Sequence, residues 1–154
     1  MQQKLESMDM TELVHLSRVS ELDFDKFLLP LNFSTREVNE MVSFLSRLPF
    51  ISIDLNLPEQ KLEPGDTLEL MLNIRNLNTK LKKYDFSWFC CVSFEKTDEL
   101  FALKRFQTTS KSLHKTSLSF IIPEAGSTIS LNLHVMSSNF LGLNYVVPFD
   151  IRFK

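Results

Sequence analysis

The chain has 154 residues, a length typical of one domain or of a small subdomain joined to a larger one. Hydrophobic residues make up 44% of the sequence and the formal net charge is only -2, so the composition excludes an intrinsically disordered chain. No apolar run reaches the roughly 18 to 20 residues of a membrane-spanning helix, and the first residues lack the apolar stretch of a secretory signal peptide. We therefore expect a folded protein without membrane insertion.

Residues 1–49 are predicted to form a small helical unit. The segment "STREVNEMVSFLSRL" opens with Ser34 and has Glu37 three residues later, the spacing of a capping box that satisfies free amides at a helix start. Apolar residues then recur at helical spacing on one face: Val38, Met41, Val42, Leu45 and Leu48. Upstream, a helix is predicted to begin at Asp9, and Pro30 is expected to end a further short helix.

From residue 50 to residue 154 the hydrophobic period changes to two, which is typical of strands with one buried face. This pattern is followed by "ISIDLNL", "TLELMLNIR", "SLSFII", "ISLNLHV" and "VPFDIRF". Two more strands are predicted at "ELFALKRF" and at "FSWFCCVSF", which is apolar at both parities and should be covered on each side. The fold class is therefore α+β: the helical unit precedes a seven-stranded immunoglobulin-like or fibronectin type III-like β-sandwich over residues 50–154.

The sequence contains no motif of an enzyme or of a cofactor site. The glycines are isolated from one another, so no phosphate-binding loop can form, and the histidines lack zinc-ligand spacing. Cys90 and Cys91 are adjacent, which is poor geometry for a structural disulfide, so we expect reduced, buried thiols; a redox pair is the alternative. We predict a protein that is not an enzyme and has no metal, cofactor or small-molecule substrate.

The basic part of the chain is the candidate surface for a protein partner. Residues 79–115 carry eight Lys or Arg against four Asp or Glu, whereas residues 1–48 carry five against eight. The stretch "NTKLKKYDF" interleaves apolar residues with lysines, as a docking loop would; the alternative is a solvated loop beside a strand edge. The candidate partner-binding residues are Lys80, Leu81, Lys82, Lys83, Tyr84, Lys104 and Arg105.

The second half of the chain resembles the sandwich of the Sec63 domain family. The resemblance consists of the tryptophan-containing strand "FSWFCCV", the strand "ELFALKRF", a Pro-x-x-Gly turn and the corner within "HVMSSNFLGLNYVVPFDIRF". In that family a helix-hairpin-helix unit precedes the sandwich, so the resemblance covers about residues 9–153. The segments "ALKRF" and "HVMSS" are most similar to the carboxy-terminal module of the large RNA helicase of the spliceosomal U5 particle, a Ski2-like helicase.

The departures from the family pattern keep apolar bulk and lose polar detail. Trp88 and Phe89 stand where the family has paired tryptophans, and Ser138 and Asn144 stand where aspartates are usual. The resemblance implies structural roles for Trp88, Phe89, Pro123, Gly126, Phe140, Leu141 and Gly142. Phe140 and Leu141 are expected to fill the core beside a permissive Gly142, which makes "SSNFLGLN" a structural corner; the alternative is a partner-binding tip.

The resemblance implies a non-catalytic protein-interaction and regulatory module of a spliceosomal-type RNA helicase, active in pre-mRNA splicing and in remodelling of the U5-type snRNP. Its expected partners are helicase motor domains and ribonucleoprotein components, and its expected location is the nucleus, with the cytoplasm as an alternative. One alternative is an accessory module that contacts RNA weakly through its helix-hairpin-helix. Another is a subunit of the protein translocation machinery at the cytosolic face of the endoplasmic reticulum.

Overall fold

The computed structural model describes residues 33–58, 62–78, 81, 85–109, 113–123 and 128–153. Within these ranges the chain forms one helix, α1 (Thr35–Leu45), and seven strands. The strands are β1 (Ile51–Asn56), β2 (Thr67–Asn76), β3 (Phe86–Phe94), β4 (Leu100–Thr108), β5 (Leu113–Ile121), β6 (Thr128–Ser137) and β7 (Asn144–Arg152). The helices predicted upstream of Phe33 lie outside the described residues.

Helix α1 begins at the predicted capping box, which is confirmed. The Ser34 hydroxyl accepts a hydrogen bond from the Glu37 amide at 3.3 Å, and the Glu37 carboxylate accepts one from the Ser34 amide at 2.8 Å. Met41 and Leu45 are buried, whereas Val42 is exposed, so the buried stripe is narrower than predicted. The described residues contain only this helix, and no helix-hairpin-helix is evident in them.

The strands pair into two antiparallel sheets, β1-β2-β5 and β4-β3-β6-β7. Alternate side chains of both sheets point inward and share one hydrophobic core. Its fully buried members include Leu68, Leu70, Leu72, Ile74, Trp88, Leu131 and Leu133. The predicted seven-stranded sandwich is confirmed, and with one short helix the architecture agrees with the α+β class.

Trp88 lies at the centre of the core with 0% of its surface exposed. Its indole Nε1 donates a hydrogen bond to the Thr108 hydroxyl on the adjacent strand β4, at 2.9 Å, and Thr108 is itself buried. The Tyr145 ring packs beside the indole with centroids 6.2 Å apart. Because a buried N–H without an acceptor is costly, the Thr108 hydroxyl makes the complete burial of this tryptophan favourable.

The prediction that β3 is covered on both faces is wrong for its outer face. Trp88, Cys90 and Val92 are fully buried between the sheets, but Phe89 and Cys91, which point the other way, are only half-buried. The second sheet covers one face of β3, and the described residues place no further layer on the other. A central position in its own sheet therefore buries one side of this strand fully and the other side only in part.

The corner between β6 and β7 corrects the expectation for Leu141. This side chain is 96% exposed, whereas Leu143 is 0% exposed and belongs to the core. Gly142 between them has φ of +79°, a conformation that favours glycine, and the resulting turn sends Leu143 inward and leaves Leu141 at the tip. Phe140, which was expected to fill the core, is half-buried at its margin and packs against the Phe86 ring at 6.0 Å between centroids.

Hydrogen bonds hold this corner against the start of β3. The Ser138 hydroxyl donates to the Ser87 carbonyl at 2.8 Å, and the Asn139 side-chain oxygen accepts from the Ser87 amide at 2.9 Å. The Ser137 hydroxyl accepts from the amides of Asn139 and Phe140, both at 3.2 Å. The side chains of Ser137, Ser138 and Asn139 in "SSNFLGLN" therefore form hydrogen bonds within the fold, which favours a structural corner.

The Asn78 side chain joins the turn after α1 to the sandwich. Its amide nitrogen Nδ2, just after β2, donates to the Ser46 and Leu48 carbonyls, each at 2.9 Å. These carbonyls lie past the end of the helix, where main-chain acceptors lack helical partners. Asn78 thus stabilises the turn that leads from α1 into β1.

We predict that Thr108→Val lowers the free energy of unfolding by about 1–3 kcal/mol, because it preserves shape and leaves the buried indole N–H without its acceptor. Urea denaturation measures the change. Thr128→Val is the matched control, since Thr128 is exposed at the start of β6, and it should stay within about 0.5 kcal/mol of wild type. Equal stabilities of the two variants would contradict the role assigned to the Thr108 hydroxyl.

Candidate protein-interaction surface

Most of the predicted basic docking loop lies outside the described residues, including the candidate partner-binding residues Lys80, Lys82, Lys83 and Tyr84. The predicted structural Gly126 also lies outside them. Leu81 is described and is half-buried, and Pro123 is half-buried just after β5. The docking role of the loop therefore stays a prediction.

Lys104 and Arg105 are neighbours in β4, so their side chains leave the sheet on opposite faces. The Lys104 ammonium donates to the Ser117 carbonyl on β5 at 2.6 Å. Since β4 and β5 are edge strands of different sheets, this bond links the sheets along one open side of the sandwich. The structure does not bring Lys104 together with Arg105 in one surface.

Arg105 lies on the outer face of the four-stranded sheet, and its guanidinium is held over β3. One nitrogen, Nη2, donates to the Ser87 hydroxyl at 3.2 Å, and the central carbon Cζ lies 5.7 Å from the centroid of the Phe89 ring. That arrangement is a cation–π contact, which favours an arginine over an aromatic face. Among the described residues the ion pair found is Arg36 with Glu40, so no described carboxylate pairs with Arg105.

The strand register aligns further apolar side chains beside Arg105. Cys91 is the partner of Leu103 on one side and of His134 on the other, and His134 is in turn the partner of Val146. The adjacent row places Phe89 between Arg105 and Met136. We call this surface the outer patch: Phe89, Cys91, Leu103, His134, Met136 and Val146, with Arg105 at its border.

The outer patch is open to solvent at its two ends and spans all four strands, a width of about 14 Å at the usual strand spacing. Leu103 on β4 is 60% exposed and Val146 on β7 is 56% exposed. The half-buried members between them do not pack against the hydrophobic core, which confirms that they face away from it. Exposed apolar side chains that adjoin across a sheet are typical of interaction sites.

His134 is the polar member of the outer patch and has a fixed position. A hydrogen bond of 3.0 Å joins its Nε2 to the hydroxyl of Ser93, which is only 5% exposed. The ring is half-buried on the outer face of the sheet. A fixed imidazole in an apolar surround offers a partner one directional polar contact.

The two thiols are free, and neither is activated as a nucleophile. Burial raises the pKa of Cys90 from its ordinary value of 9.0 to about 11, although Lys104 acts in the opposite direction. Burial also raises the pKa of Cys91. A reactive cysteine needs a lowered pKa, so the observed environments favour inert thiols.

The described ranges also contain no group of three or more His, Cys, Asp or Glu side chains that could hold a metal ion. No helix within them has the length and hydropathy needed to cross a membrane.

Sequence reasoning missed the outer patch. Its signal was present as apolar residues at solvent-facing positions: Leu103, Met136 and Val146. These positions lie on three different strands, and only the pairing register shows that they meet. The sequence instead predicted the basic loop as the docking surface, because the charges of that loop are contiguous in the sequence.

A family model described as the Sec63 Brl domain matches residues 2–150 of the chain. A comparison with curated proteins gives no significant sequence match. Among solved structures, the chain is similar to a glycosyl hydrolase family 2 member from Bacteroides cellulosilyticus, with 12% identity and a TM-score of 0.47 over 63% of this chain and 13% of that one. It is also similar to the CARDB domain of a Pyrococcus furiosus protein in complex with di-metal ions, with 15% identity and a TM-score of 0.49. That match covers 69% of this chain and 89% of the CARDB chain.

A third similarity is to a β-glucuronidase of glycoside hydrolase family 2, with 9% identity and a TM-score of 0.44 over 63% of this chain. The chain spans only 13% and 11% of the length of the two hydrolases. At these identities and TM-scores the structural similarities bear on neither activity nor ligand.

We predict that iodoacetamide at pH 8 alkylates Cys91 faster than Cys90, because Cys90 is fully buried and Cys91 is half-buried on the outer patch. Mass spectrometry of Cys90→Ala and Cys91→Ala proteins separates the two rates. Faster labelling of Cys90 in the folded protein would contradict the assignment of Cys90 to the core.

The raised pKa of Cys90 also predicts a pH dependence of stability. The unfolded chain loses this proton near the ordinary pKa of 9.0, while the folded protein keeps it to about 11. The stabilising contribution is therefore complete below pH 9 and is lost as the pH rises through 11. The difference in unfolding free energy between wild type and Cys90→Ala should fall across this window, and a constant difference would contradict the burial effect.

Proposed function

The chain belongs to the Sec63 Brl domain family, a helicase-associated family of accessory domains, and from this we propose that it is a non-catalytic protein-interaction and regulatory module of a spliceosomal-type RNA helicase. The observation that carries the proposal is the family match across residues 2–150. The proposed location is the nucleus, and the proposed process is pre-mRNA splicing with remodelling of the U5-type snRNP.

Two segments support the spliceosomal part of the proposal. Residues 102–106 and 134–138 carry the resemblance to the module of the U5 helicase. The same segments supply Leu103, Arg105, His134 and Met136 to the outer patch. The resemblance therefore extends to residues that are turned to solvent, where core packing does not dictate the side chain.

The outer patch supports a docking mode in which a partner protein binds the outer face of the four-stranded sheet. Burying Leu103 and Val146 would remove apolar surface from water, which favours association by about 25 cal/mol per Å². A typical partner surface is about 800 Å² in area, so the patch would form the central part of an interface, and the surrounding polar residues would form its rim. A sandwich docked in this way would act on a helicase by holding its motor domains or its cofactor proteins in place.

The proposal predicts the proteins that the tagged chain captures from cells of its source. We expect an RNA helicase and U5-type ribonucleoprotein components, identified by quantitative mass spectrometry after crosslinking. Capture should fall at least about tenfold for the double variant Leu103→Asp with Val146→Asp, because buried carboxylates would replace apolar contacts. Met71→Asp is the matched control: Met71 is an exposed apolar residue on the outer face of the other sheet.

The regulatory role has its own readout. ATP hydrolysis by the captured helicase should change when purified chain is added, and the double variant should have a smaller effect than Met71→Asp. Capture of translocation proteins in place of a helicase would overturn the proposal in favour of the endoplasmic reticulum. Capture of RNA alone, lost on ribonuclease treatment, would favour the RNA-contacting alternative.

A further inference from the structure

We infer that the outer patch recognises an acidic, apolar segment of a protein partner, in which a carboxylate pairs with Arg105 and a neighbouring apolar side chain packs over Cys91. This inference names the partner chemistry of the docking face and therefore rests on the proposed function. It adds a specific charge and its position to a surface whose other members are apolar except for His134.

The position of the Arg105 guanidinium supports the carboxylate. Ser87 accepts from one nitrogen at 3.2 Å, and the Phe89 ring supports the guanidinium plane, with 5.7 Å from Cζ to its centroid. A guanidinium has five N–H donors, and the hydrogen bond to Ser87 uses one of them. An arginine that is already held in place loses less conformational freedom when a carboxylate binds.

The charges of the surrounding face favour an acidic ligand. Strands β3, β4 and β6 contain no Asp or Glu. The acidic residue of β7 is Asp150, whose carboxylate accepts a hydrogen bond from Ser130 at 2.8 Å. The register places Asp150 six residue positions from the row of Arg105, roughly 20 Å along the strands. No carboxylate on these four strands therefore competes for the guanidinium.

The apolar members of the outer patch favour a protein over a nucleic acid. RNA binding without sequence preference uses several cations along the backbone and free aromatic faces for base stacking. Here there is one cation beside four aliphatic or sulfur-containing side chains, and the aromatic ring of Phe89 already carries the guanidinium. A second copy of the chain fits less well, because the outer patch of that copy has no acidic member to pair with Arg105.

Peptide titrations followed by 1H–15N NMR test the inference on the intact chain. The first probe is an acetylated and amidated peptide Glu-Leu-Phe-Glu-Leu, which combines both features. The second replaces its Glu residues with Lys, and the third replaces its apolar residues with Ser. We expect the first peptide alone to shift the amides of Phe89, Cys91 and His134.

Two substitutions isolate the charge. Arg105→Gln should weaken binding of the first peptide about tenfold or more, since a charge-assisted bidentate contact is lost. Arg105→Lys should give a smaller loss of affinity, because lysine keeps the positive charge but lacks the planar guanidinium that makes a bidentate contact. Lys115→Gln is the control, as Lys115 is exposed on the outer face of the other sheet, and it should leave the affinity unchanged. Melting temperatures verify that all three variants are folded.

Several outcomes would overturn the inference. They are equal binding of the acidic and basic peptides, unchanged affinity of Arg105→Gln, or tighter binding of a uridine dodecamer at the same amides. Shifts of these amides with protein concentration alone would assign the face to a second copy of the chain. The test is separable from the helicase proposal: peptide binding without helicase capture would overturn only that proposal, and full helicase capture by Arg105→Gln would overturn only this inference.

Discussion

The burial of Trp88 determines which side of the four-stranded sheet is turned to solvent. Side chains alternate along a strand, so placing Trp88 between the sheets forces Phe89 and Cys91 to the outside. The hydrogen bond from the indole to Thr108 acts on the adjacent strand, because a slip of one residue in β4 would remove the acceptor. The same register aligns Leu103 and Arg105 beside β3, so the stability of the core and the composition of the outer patch have one structural cause.

Much of the fold was predictable because its determinants are local. The capping box at Ser34 depends on residues three apart, and the strands depend on a period of two that each segment shows by itself. The number of strands and their packing into two sheets followed from these periods. Both cysteines were expected to be buried and reduced; both thiols are free and Cys90 is buried within the core, but Cys91 is only half-buried.

The failures concern facts that no single segment contains. Leu141 and Leu143 flank a glycine, and both are apolar; only the turn at Gly142 decides that Leu143 enters the core. In β3, apolar residues at both parities suggested burial on both faces, but Phe89 and Cys91 in the outer row are only half-buried, because the described residues place no second layer over them. The register that joins Cys91 to His134 and Leu103 depends on long-range pairing, which hydrophobic periods do not specify for strands of mixed character.

The edges of the sandwich explain why a partner would use its face. On one open side the Lys104 ammonium bonds to Ser117 of the opposite sheet, and this bond occupies the gap between the edge strands β4 and β5. On the other side β7 carries Pro148, which has no amide hydrogen to offer an added strand. The Tyr145 hydroxyl accepts a hydrogen bond from the Ile51 amide at 3.1 Å and so uses a donor at the start of edge strand β1. Since these edges are poorly suited to pairing with another strand, a partner would gain apolar contact area on a face such as the outer patch, where Leu103 and Val146 are exposed.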